Sequence, residues 1–309
     1  MGQPVAWIAR FPSGLAHYVY DGRLVDDRQL VVRLTRPDSR ADFAGAVYWS
    51  QTLKPLGVPL PELCYVDIDG HTDGFPVLIM ERLPGTDLGA VYPLLSGAQK
   101  LHIARQIVAL HRRVTKLPRG AGFGYGFSFD DPSLKHTWKD VVDASLERSR
   151  RRILAAGLVS VEVVERVQEA VDRFGDYLST VAPTCFLHDT TTKNVIVDGG
   201  QLSGIVDVDS MCFGDPLFTP ALTRMALLSS AYDAVYVDAW TAELELTPLQ
   251  QRALTLYTAV FCVNFLAELG HAFNRETAEP VQPQRVRHLL MTLADLLAEA
   301  GRGLGGEHL

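Results

Sequence analysis

The 309-residue chain has few cysteines and no long apolar run, and each absence argues against a class of protein. Its four cysteines, Cys64, Cys185, Cys212 and Cys262, stand singly without a C-x-x-C pair, which suits neither a zinc site nor a disulfide scaffold. The longest apolar stretch, LYTAVFCVNFLAEL, is interrupted by Asn264 and is too short to span a bilayer. No basic segment leads into an apolar one at the start, so no secretory signal is visible and we expect a cytoplasmic protein.

Basic residues are outnumbered, with 29 lysines and arginines against 36 aspartates and glutamates, for a formal net charge of -7 at pH 7. This balance argues against a nucleic-acid or membrane partner, because nucleic acids and anionic membranes both favour a basic surface. The hydrophobic share of 47% and the charged share of 21% are those of an ordinary globular protein. The length suffices for two hydrophobic cores.

The first part of the chain is rich in short β-type runs. These runs, YVYDG, QLVVRL, CYVDI and FPVLIM, all precede residue 81. A helical segment is expected among them from about residue 38 to residue 56, where a proline and a glycine close it. The Pro-Gly pair at 84–85 then interrupts the regular structure.

The second part reads as mainly helical. In SGAQKLHIARQIVALHRRV the apolar residues recur close to a 3.6-residue period, and helices resume from about 220 to 300. The one clear β island expected here is the segment from Phe186 to Ser210. We therefore predict an α+β protein with a small β-rich lobe at 1–84, a hinge at about 81–85 and a larger helical lobe at 85–309.

That β island gathers polar oxygen atoms around a predicted hairpin, in FLHDTTTKNVIVDGGQLSGIVDVDS. The D-G-G turn at 198–200 between two apolar runs is typical of a β-hairpin. Pairing outward from the turn brings Asn194 and Asp207 to its open end, and Asp189 lies in the loop that feeds this end. Phosphoryl transfer requires such a set, an acid for a hydroxyl and hard oxygen ligands for Mg²⁺. Acids also gather at hairpin ends because those ends are solvated, but the second acid and the neighbouring G-D-P turn favour function.

These residues resemble the catalytic segment of the aminoglycoside phosphotransferase-like, or choline-kinase-like, family of the protein-kinase-like superfamily. That family has H-G-D-x-x-x-x-N, a hairpin ending in I-D-W or a similar triplet, and then G-D-P. The resemblance implies Asp189 as catalytic base, Asn194 and Asp207 as Mg²⁺ ligands, and Asp215 as a structural anchor. It also implies a two-lobed protein-kinase-like fold, ATP as phosphate donor and a small hydroxylated molecule as acceptor.

The resemblance places the nucleotide at VLIMERLPG and at FPSGLAHYVY. In the first segment Met80 would line the adenine pocket, the Glu81 carbonyl would accept a hydrogen bond and the Leu83 amide would donate one. In the second segment Ser13 and Gly14 would approach the phosphates, although this loop holds a single glycine.

Departures from the family pattern affect the phosphate site. The phosphate-contacting cation, often a lysine, is Arg33, which can grip phosphate bidentately. Its usual glutamate partner on the helix falls at Ala46, so we expect that ion pair to be missing. Together with the sparse glycine loop, this motivates an alternative function, a nucleotide-binding pseudokinase or sensor with weak or no turnover.

The acceptor is expected against the late segment TLYTAVFCVNFLAELGHAF. Asn264, Glu268 and His271 are spaced by four and three residues, so a continuous helix would place them on one face. Related small-molecule kinases build their acceptor pocket from this region, and Glu268 would offer its carboxylate with the other two orienting the substrate. Alternatively, the polar stripe finds ordinary partners in the core, because buried polar groups need them. The identity of the acceptor is not predicted.

Overall fold

An antiparallel sheet forms the first part of the chain in the computed structural model, which describes residues 4–11, 17–71, 74–273 and 277–302. Its strands are β1 (Val5–Arg10), β2 (Tyr18–Leu24), β3 (Gln29–Leu34), β4 (Leu63–Asp67) and β5 (Val77–Glu81). They lie in the order β1-β2-β3-β5-β4. Strands β2 to β5 confirm the four β-type runs identified in the sequence.

β1 is a strand that the sequence pattern did not indicate. It lies at the edge of the sheet, and Val5, Trp7 and Ile8 are each more than half exposed. Because these apolar residues do not alternate with polar ones as in a half-buried strand, the usual signal is absent.

A helix, α1 (Arg40–Leu53), packs against the sheet and confirms the helix expected near residues 38–56. The contact is an apolar cluster whose buried members are Phe43, Ala46, Leu78 and Met80. On another side of the helix, a Cβ added at Gly45 would clash with the carbonyl oxygen of Asp209 and with the ring of Phe127. The absence of a side chain at this position therefore lets α1 approach the segment that follows the hairpin.

The rest of the described chain is mainly helical. Its helices are α2 (Leu88–Val91), α3 (Gly97–Val114), α4 (Trp138–Ala156), α5 (Glu162–Arg173), α6 (Gly175–Thr180), α7 (Phe218–Ser229), α8 (Val235–Ala242), α9 (Pro248–Glu268) and α10 (Pro283–Gly301). The main apolar core of this part is formed by residues of α4, α5, α7, α9 and α10. The periodicity that predicted a helix before Val114 is confirmed by α3, which begins with a capping box from Ser96.

Two small sheets lie among these helices. Their strands are β6 (Thr86–Asp87), β7 (Gly124–Gly126), β8 (Thr184–Phe186), β9 (Val195–Asp198), β10 (Gln201–Ile205) and β11 (Met211–Gly214). One sheet has the order β10-β9-β6 and the other β7-β11-β8. The expectation of a single β island in this part was therefore wrong, because β7, β8 and β11 pair over long sequence separations that local patterns do not reveal.

A short connection joins the first sheet to the helical part. β5 ends at Glu81, and β6 already pairs with β9 of the hairpin. Gly85 in this connection has a φ of +96°, and a Cβ there would clash with the Val197 carbonyl. Glycine is thus required where the connection crosses the hairpin.

The segment after β11 is held in the helical core by Asp215. Its Oδ2 accepts hydrogen bonds from the hydroxyls of Tyr177, at 2.7 Å, and Tyr257, at 3.0 Å, and its Oδ1 accepts from the Leu217 amide at 3.0 Å. Burial raises the pKa of this carboxyl, and the three hydrogen bonds oppose the rise. These contacts match the structural role that the resemblance implied for Asp215.

The β-rich first part and the helical second part confirm the α+β, two-lobed prediction. Among the helices of the described residues, none is both long and apolar enough to cross a membrane.

A buried histidine of α3 supports the loop that carries Asp189. His111 is 6% exposed, and its Nε2 lies 2.9 Å from the hydroxyl of Thr190. Its ring packs on Trp240, with the ring centroids 4.8 Å apart. Burial lowers the pKa of His111 to about 3, so the imidazole stays neutral in the folded protein until the pH is strongly acidic.

We expect His111 to make the folded state sensitive to acid. The unfolded chain takes up a proton at this histidine near pH 6.5, whereas the folded chain does not, so stability present above pH 6.5 is lost as the pH falls toward the folded pKa. By this linkage the wild type should lose about 2 kcal/mol more unfolding free energy between pH 7 and pH 5 than His111→Gln. His102→Gln, on the exposed face of the same helix, is the control and should retain the wild-type profile. Coinciding profiles for wild type and His111→Gln in urea unfolding would contradict the prediction.

Candidate active site

The open end of the hairpin brings Asn194, Asp207 and Asp189 together. β9 and β10 pair outward from the turn to Val195 and Ile205, and the Val206 amide then donates to the Asn194 carbonyl at 2.9 Å. Asp207 follows directly with a φ of +63°, in the left-handed region. The register therefore juxtaposes Asn194 and Asp207 as expected from the turn.

The loop before β9 is tied to this end by side chains. The Asn194 Nδ2 donates to the Asp189 carbonyl at 3.0 Å, and the Thr191 hydroxyl donates to Asp189 Oδ1 at 2.9 Å. The first bond fixes the loop over the hairpin, and the second orients the Asp189 carboxylate. Within the described part of the chain, the other carboxylate oxygen of Asp189 accepts no side-chain hydrogen bond.

The side-chain oxygen atoms at this end of the hairpin are suitable ligands for Mg²⁺. The Asn194 amide nitrogen is occupied by Asp189, which directs the amide oxygen away from that bond, and the Asp207 side chain is 51% exposed. Across the described residues no group of three or more histidine, cysteine, aspartate or glutamate side chains is arranged to hold a metal. One amide and one carboxylate leave positions for water and phosphate oxygens, which is how Mg²⁺ is usually held beside a nucleotide.

Arg33 of β3 is buried between two acids of the segment that follows the hairpin. Its Nη1 and Nη2 donate to the two carboxylate oxygens of Asp209 at 2.7 and 2.6 Å, and Nη2 also donates to Asp207 Oδ1 at 2.9 Å. Ala46 lies in the apolar cluster of α1, so the strand–helix ion pair is indeed missing. Asp209 supplies a carboxylate to Arg33 instead, a partner that the sequence analysis did not predict.

A histidine completes the surroundings of Asp209. His17 Nε2 lies 3.0 Å from Asp209 Oδ2 and 3.7 Å from a carboxylate oxygen of Asp42, while its Nδ1 lies 3.1 Å from the Thr35 hydroxyl. Burial tends to raise the pKa of Asp209, but Arg33 and the histidine outweigh it and hold this pKa well below its ordinary value. Asp209 is therefore ionised. Sequence reasoning missed it, although the repeated acid in V-D-V-D-S was a visible signal.

Three of the residues proposed for the nucleotide, Met80, Glu81 and Leu83, lie at the end of β5 and in the connection that follows it. Met80 is buried in β5, and the Glu81 amide donates to the Glu62 carbonyl at 2.9 Å. Leu83 follows in the connection, and its side chain occupies the space beside Gly204. Ser13 and Gly14 lie outside the described residues.

Asn264 belongs to the packing of α9 on α4. Its Oδ1 accepts from the Ser149 hydroxyl at 2.7 Å, and its Nδ2 donates to the Ser145 hydroxyl at 3.1 Å. Asn264 therefore has ordinary hydrogen-bond partners in the core, which was the alternative interpretation of these polar residues.

The expectation of one helical face for Asn264, Glu268 and His271 was wrong. α9 ends at Glu268, the next residue is extended, and Gly270 has a φ of +79°. The chain thus turns before His271, whose Nε2 lies 3.2 Å from the Arg152 carbonyl.

A cavity of about 310 Å³ nevertheless brings two of these residues beside Lys193, in the loop that precedes β9. Glu268 and His271 line it together with Lys193, which directly precedes Asn194, and Arg285 of α10. The two cations were not among the residues proposed for the acceptor. Their positions depend on the fold of the whole helical part.

Comparison with known proteins identifies the class as a phosphotransferase of protein-kinase-like fold. The model of the phosphotransferase enzyme family, APH, matches residues 7–254. The chain therefore belongs to this family, which confirms the resemblance drawn from the catalytic segment. Among curated protein sequences, none matches the chain.

Solved structures share the fold over nearly the whole chain. A thermostable mutant of the aminoglycoside phosphotransferase APH(4)-Ia is similar with 16% identity and a TM-score of 0.68, covering 96% of both chains. A mutant of aminoglycoside 2′-phosphotransferase-IIIa with GDP has 14% identity and a TM-score of 0.68, covering 96% and 93%. A putative fructosamine-3-kinase from Thermobifida fusca has 17% identity and a TM-score of 0.59, covering 97% and 94%. At these identities the similarity shows the fold alone. APH(4)-Ia has also been solved with ADP and hygromycin B.

We expect Asp209→Asn to destabilise the protein strongly. The change keeps the shape of the side chain but leaves the buried Arg33 guanidinium without its bidentate carboxylate. Removing one partner of a buried ion pair costs about 3–5 kcal/mol, to be measured by denaturant unfolding. Asp27→Asn is the control, because Asp27 pairs with Arg23 at 2.8 Å on the surface and such exposed pairs contribute little. Equally small losses in the two variants would show that the Asp209 contact is not a stabilising one.

Proposed function

We propose that this protein transfers the γ-phosphate of ATP, with Mg²⁺, to a hydroxyl group of a small molecule. The observation that carries the proposal is the meeting of Asp189, Asn194 and Asp207 at one end of the hairpin, in a chain of the phosphotransferase family. The complex of APH(4)-Ia with ADP and hygromycin B supports the same class of reaction. The small molecule is an antibiotic such as an aminoglycoside, or a metabolite.

Asp189, Asn194 and Asp207 have separate roles in the proposed phosphoryl transfer. The acceptor hydroxyl oxygen bonds to the γ-phosphorus, the bond from that phosphorus to the β–γ bridging oxygen breaks, and ADP leaves. The Asp189 carboxylate, oriented by the Thr191 hydroxyl, takes the hydroxyl proton. Asn194 and Asp207 would hold Mg²⁺, which offsets negative charge on the phosphates.

The nucleotide is proposed to lie between the lobes, which meet near residues 81–85. Met80 would contact the adenine, with the Glu81 carbonyl and the Leu83 amide as its hydrogen-bond partners. Ser13 and Gly14 are proposed for the phosphates. Arg33 would contribute the cation, since a guanidinium binds phosphate oxygens in pairs.

One observation favours the alternative of a weakly active nucleotide sensor. Arg33 contacts Asp207 and Asp209 at 2.9 Å or less, so its charge is taken up by carboxylates. Phosphates would have to share the guanidinium with these acids. ADP release on a broad panel of hydroxylated metabolites and antibiotics distinguishes the two functions, because a sensor binds nucleotide without sustained release.

We expect alanine substitutions of Asp207 and Asp189 to have different effects. Asp207→Ala should abolish the Mg²⁺-dependent tightening of nucleotide binding, because it removes a metal ligand. Asp189→Ala should bind nucleotide almost normally but lower kcat by about 10²–10⁴-fold, because a catalytic base acts in the transition state. Titration calorimetry with the ATP analogue AMP-PNP, with and without Mg²⁺, and ADP release measure the two effects.

Asp198→Ala, in the exposed turn at the other end of the hairpin, is the matched control and should affect neither quantity. Equal losses of nucleotide affinity in Asp207→Ala and Asp189→Ala would contradict the assignment of Asp207 as metal ligand and Asp189 as catalytic base.

A further inference from the structure

Two different donors hold the carboxylate of Asp209. Arg33 Nη1 donates to its Oδ1 at 2.7 Å, and Arg33 Nη2 donates to its Oδ2 at 2.6 Å. The same Oδ2 also lies 3.0 Å from Nε2 of His17, a residue that is only 7% exposed. The guanidinium and the imidazole therefore converge on a single carboxylate oxygen.

The partners of the imidazole determine which of its nitrogens carries the proton. Nε2 faces Asp209, which is ionised, and lies 3.7 Å from a carboxylate oxygen of Asp42. An ionised carboxylate can only accept a hydrogen bond, so Nε2 must carry the hydrogen. Nδ1 lies 3.1 Å from the Thr35 hydroxyl, which can donate to it. His17 is therefore a donor to Asp209 even as a neutral imidazole.

Packing fixes the imidazole in this position. His17 directly precedes β2, and the centroid of its ring lies 5.2 Å from that of Phe43 in α1. Thr35, the partner of Nδ1, directly follows β3 and is 2% exposed. The ring is thus held by the end of β3 and by α1, and it loses little further side-chain freedom when it donates to Asp209.

Nucleotide phosphates would compete with carboxylates for Arg33. Its Nη2 is shared between Asp209, at 2.6 Å, and Asp207, at 2.9 Å. A phosphate oxygen that takes this nitrogen would remove the shortest hydrogen bond of Asp209 Oδ2. Leaving a charged acceptor unsatisfied is costly, and that cost would weaken phosphate binding. The His17 donor is aimed at this same oxygen, so it can keep the carboxylate hydrogen-bonded.

We propose that His17 is a positioning residue of the phosphate site, which keeps Asp209 hydrogen-bonded while Arg33 contacts the nucleotide phosphates. It acts through Asp209 and Arg33 and does not itself touch the nucleotide. The proposal rests on the nucleotide binding of the proposed function and deepens it, because it names the residue that lets Arg33 divide its hydrogen bonds between carboxylates and phosphates.

The test uses two substitutions that each keep one side of the imidazole. The amide nitrogen of His17→Gln replaces Nε2, so this variant keeps a donor to Asp209. The shorter side chain of His17→Asn replaces Nδ1 and loses that donor. His288→Asn is the control, because the Nε2 of this α10 histidine lies 2.7 Å from the Leu228 carbonyl, a contact that involves none of the residues around Arg33.

Titration calorimetry of the full chain with AMP-PNP and with adenosine, both with Mg²⁺, gives the preference for phosphates as a ratio of affinities. Partial unfolding lowers both affinities by the same factor and leaves this ratio unchanged. His17→Asn should reduce the ratio about tenfold, as expected for one charge-assisted hydrogen bond, whereas His17→Gln and His288→Asn should retain most of it. A merely structural histidine would change stability and leave the ratio as it is.

A measurement on the wild type tests the proposal even if a variant does not fold. In the proton NMR spectrum, the hydrogen on His17 Nε2 should shift downfield when AMP-PNP and Mg²⁺ are added. The reason is that its hydrogen bond to Asp209 strengthens as Arg33 turns part of its guanidinium to the phosphates. Adenosine should leave this resonance in place.

An unchanged ratio in His17→Asn, an equal loss in His17→Gln, or a resonance that AMP-PNP does not move overturns the role of His17. If the wild type binds AMP-PNP no more tightly than adenosine, the phosphate site is refuted, and the proposed function and the role of His17 fail together. A strong phosphate preference in the wild type that His17→Asn retains contradicts the role of His17 alone.

Discussion

The contact between Arg33 and Asp209 joins the first sheet to the segment on which the candidate chemistry depends. The Arg33 side chain is almost fully buried, with 7% of it exposed. Its partner Asp209 follows the hairpin and lies 176 residues after Arg33 in the chain. A buried charge is tolerated when it is paired and hydrogen-bonded. The pair therefore ties the position of β3 to that of Asp207, which lies two residues before Asp209 and shares the same guanidinium.

The local packing explains why this carboxylate does not come from α1. Ala46 lies in an apolar cluster against β5, where a glutamate would lose its hydration, and Gly45 lets the helix approach the Asp209 carbonyl. With the helix this close, an acid on the segment after the hairpin can reach Arg33. Asp207, the proposed metal ligand, and Arg33, the proposed phosphate cation, thus belong to one charge network, and bound phosphates would have to share Arg33 with its carboxylates.

The sequence predicted those features that local chemistry determines. The D-G-G turn set the hairpin register and hence the meeting of Asn194 with Asp207, and periodicity located α3. Features that depend on long-range contacts could not be predicted, including Asp209 as the partner of Arg33 and the cavity that Lys193 and Arg285 line with Glu268. The misplaced His271 is a different case, because the glycine at 270 was a visible signal that the helix ends.

A double-mutant cycle on Arg33 and Asp209 tests the central contact most directly. Unfolding free energies of wild type, Arg33→Met, Asp209→Asn and the double variant give the energy that the two side chains share. Our account predicts a coupling of about 2–3 kcal/mol, with the double variant more stable than the sum of the single losses implies. A coupling near zero would contradict it, since the two residues would then contribute independently and the lobes would not be joined by this pair.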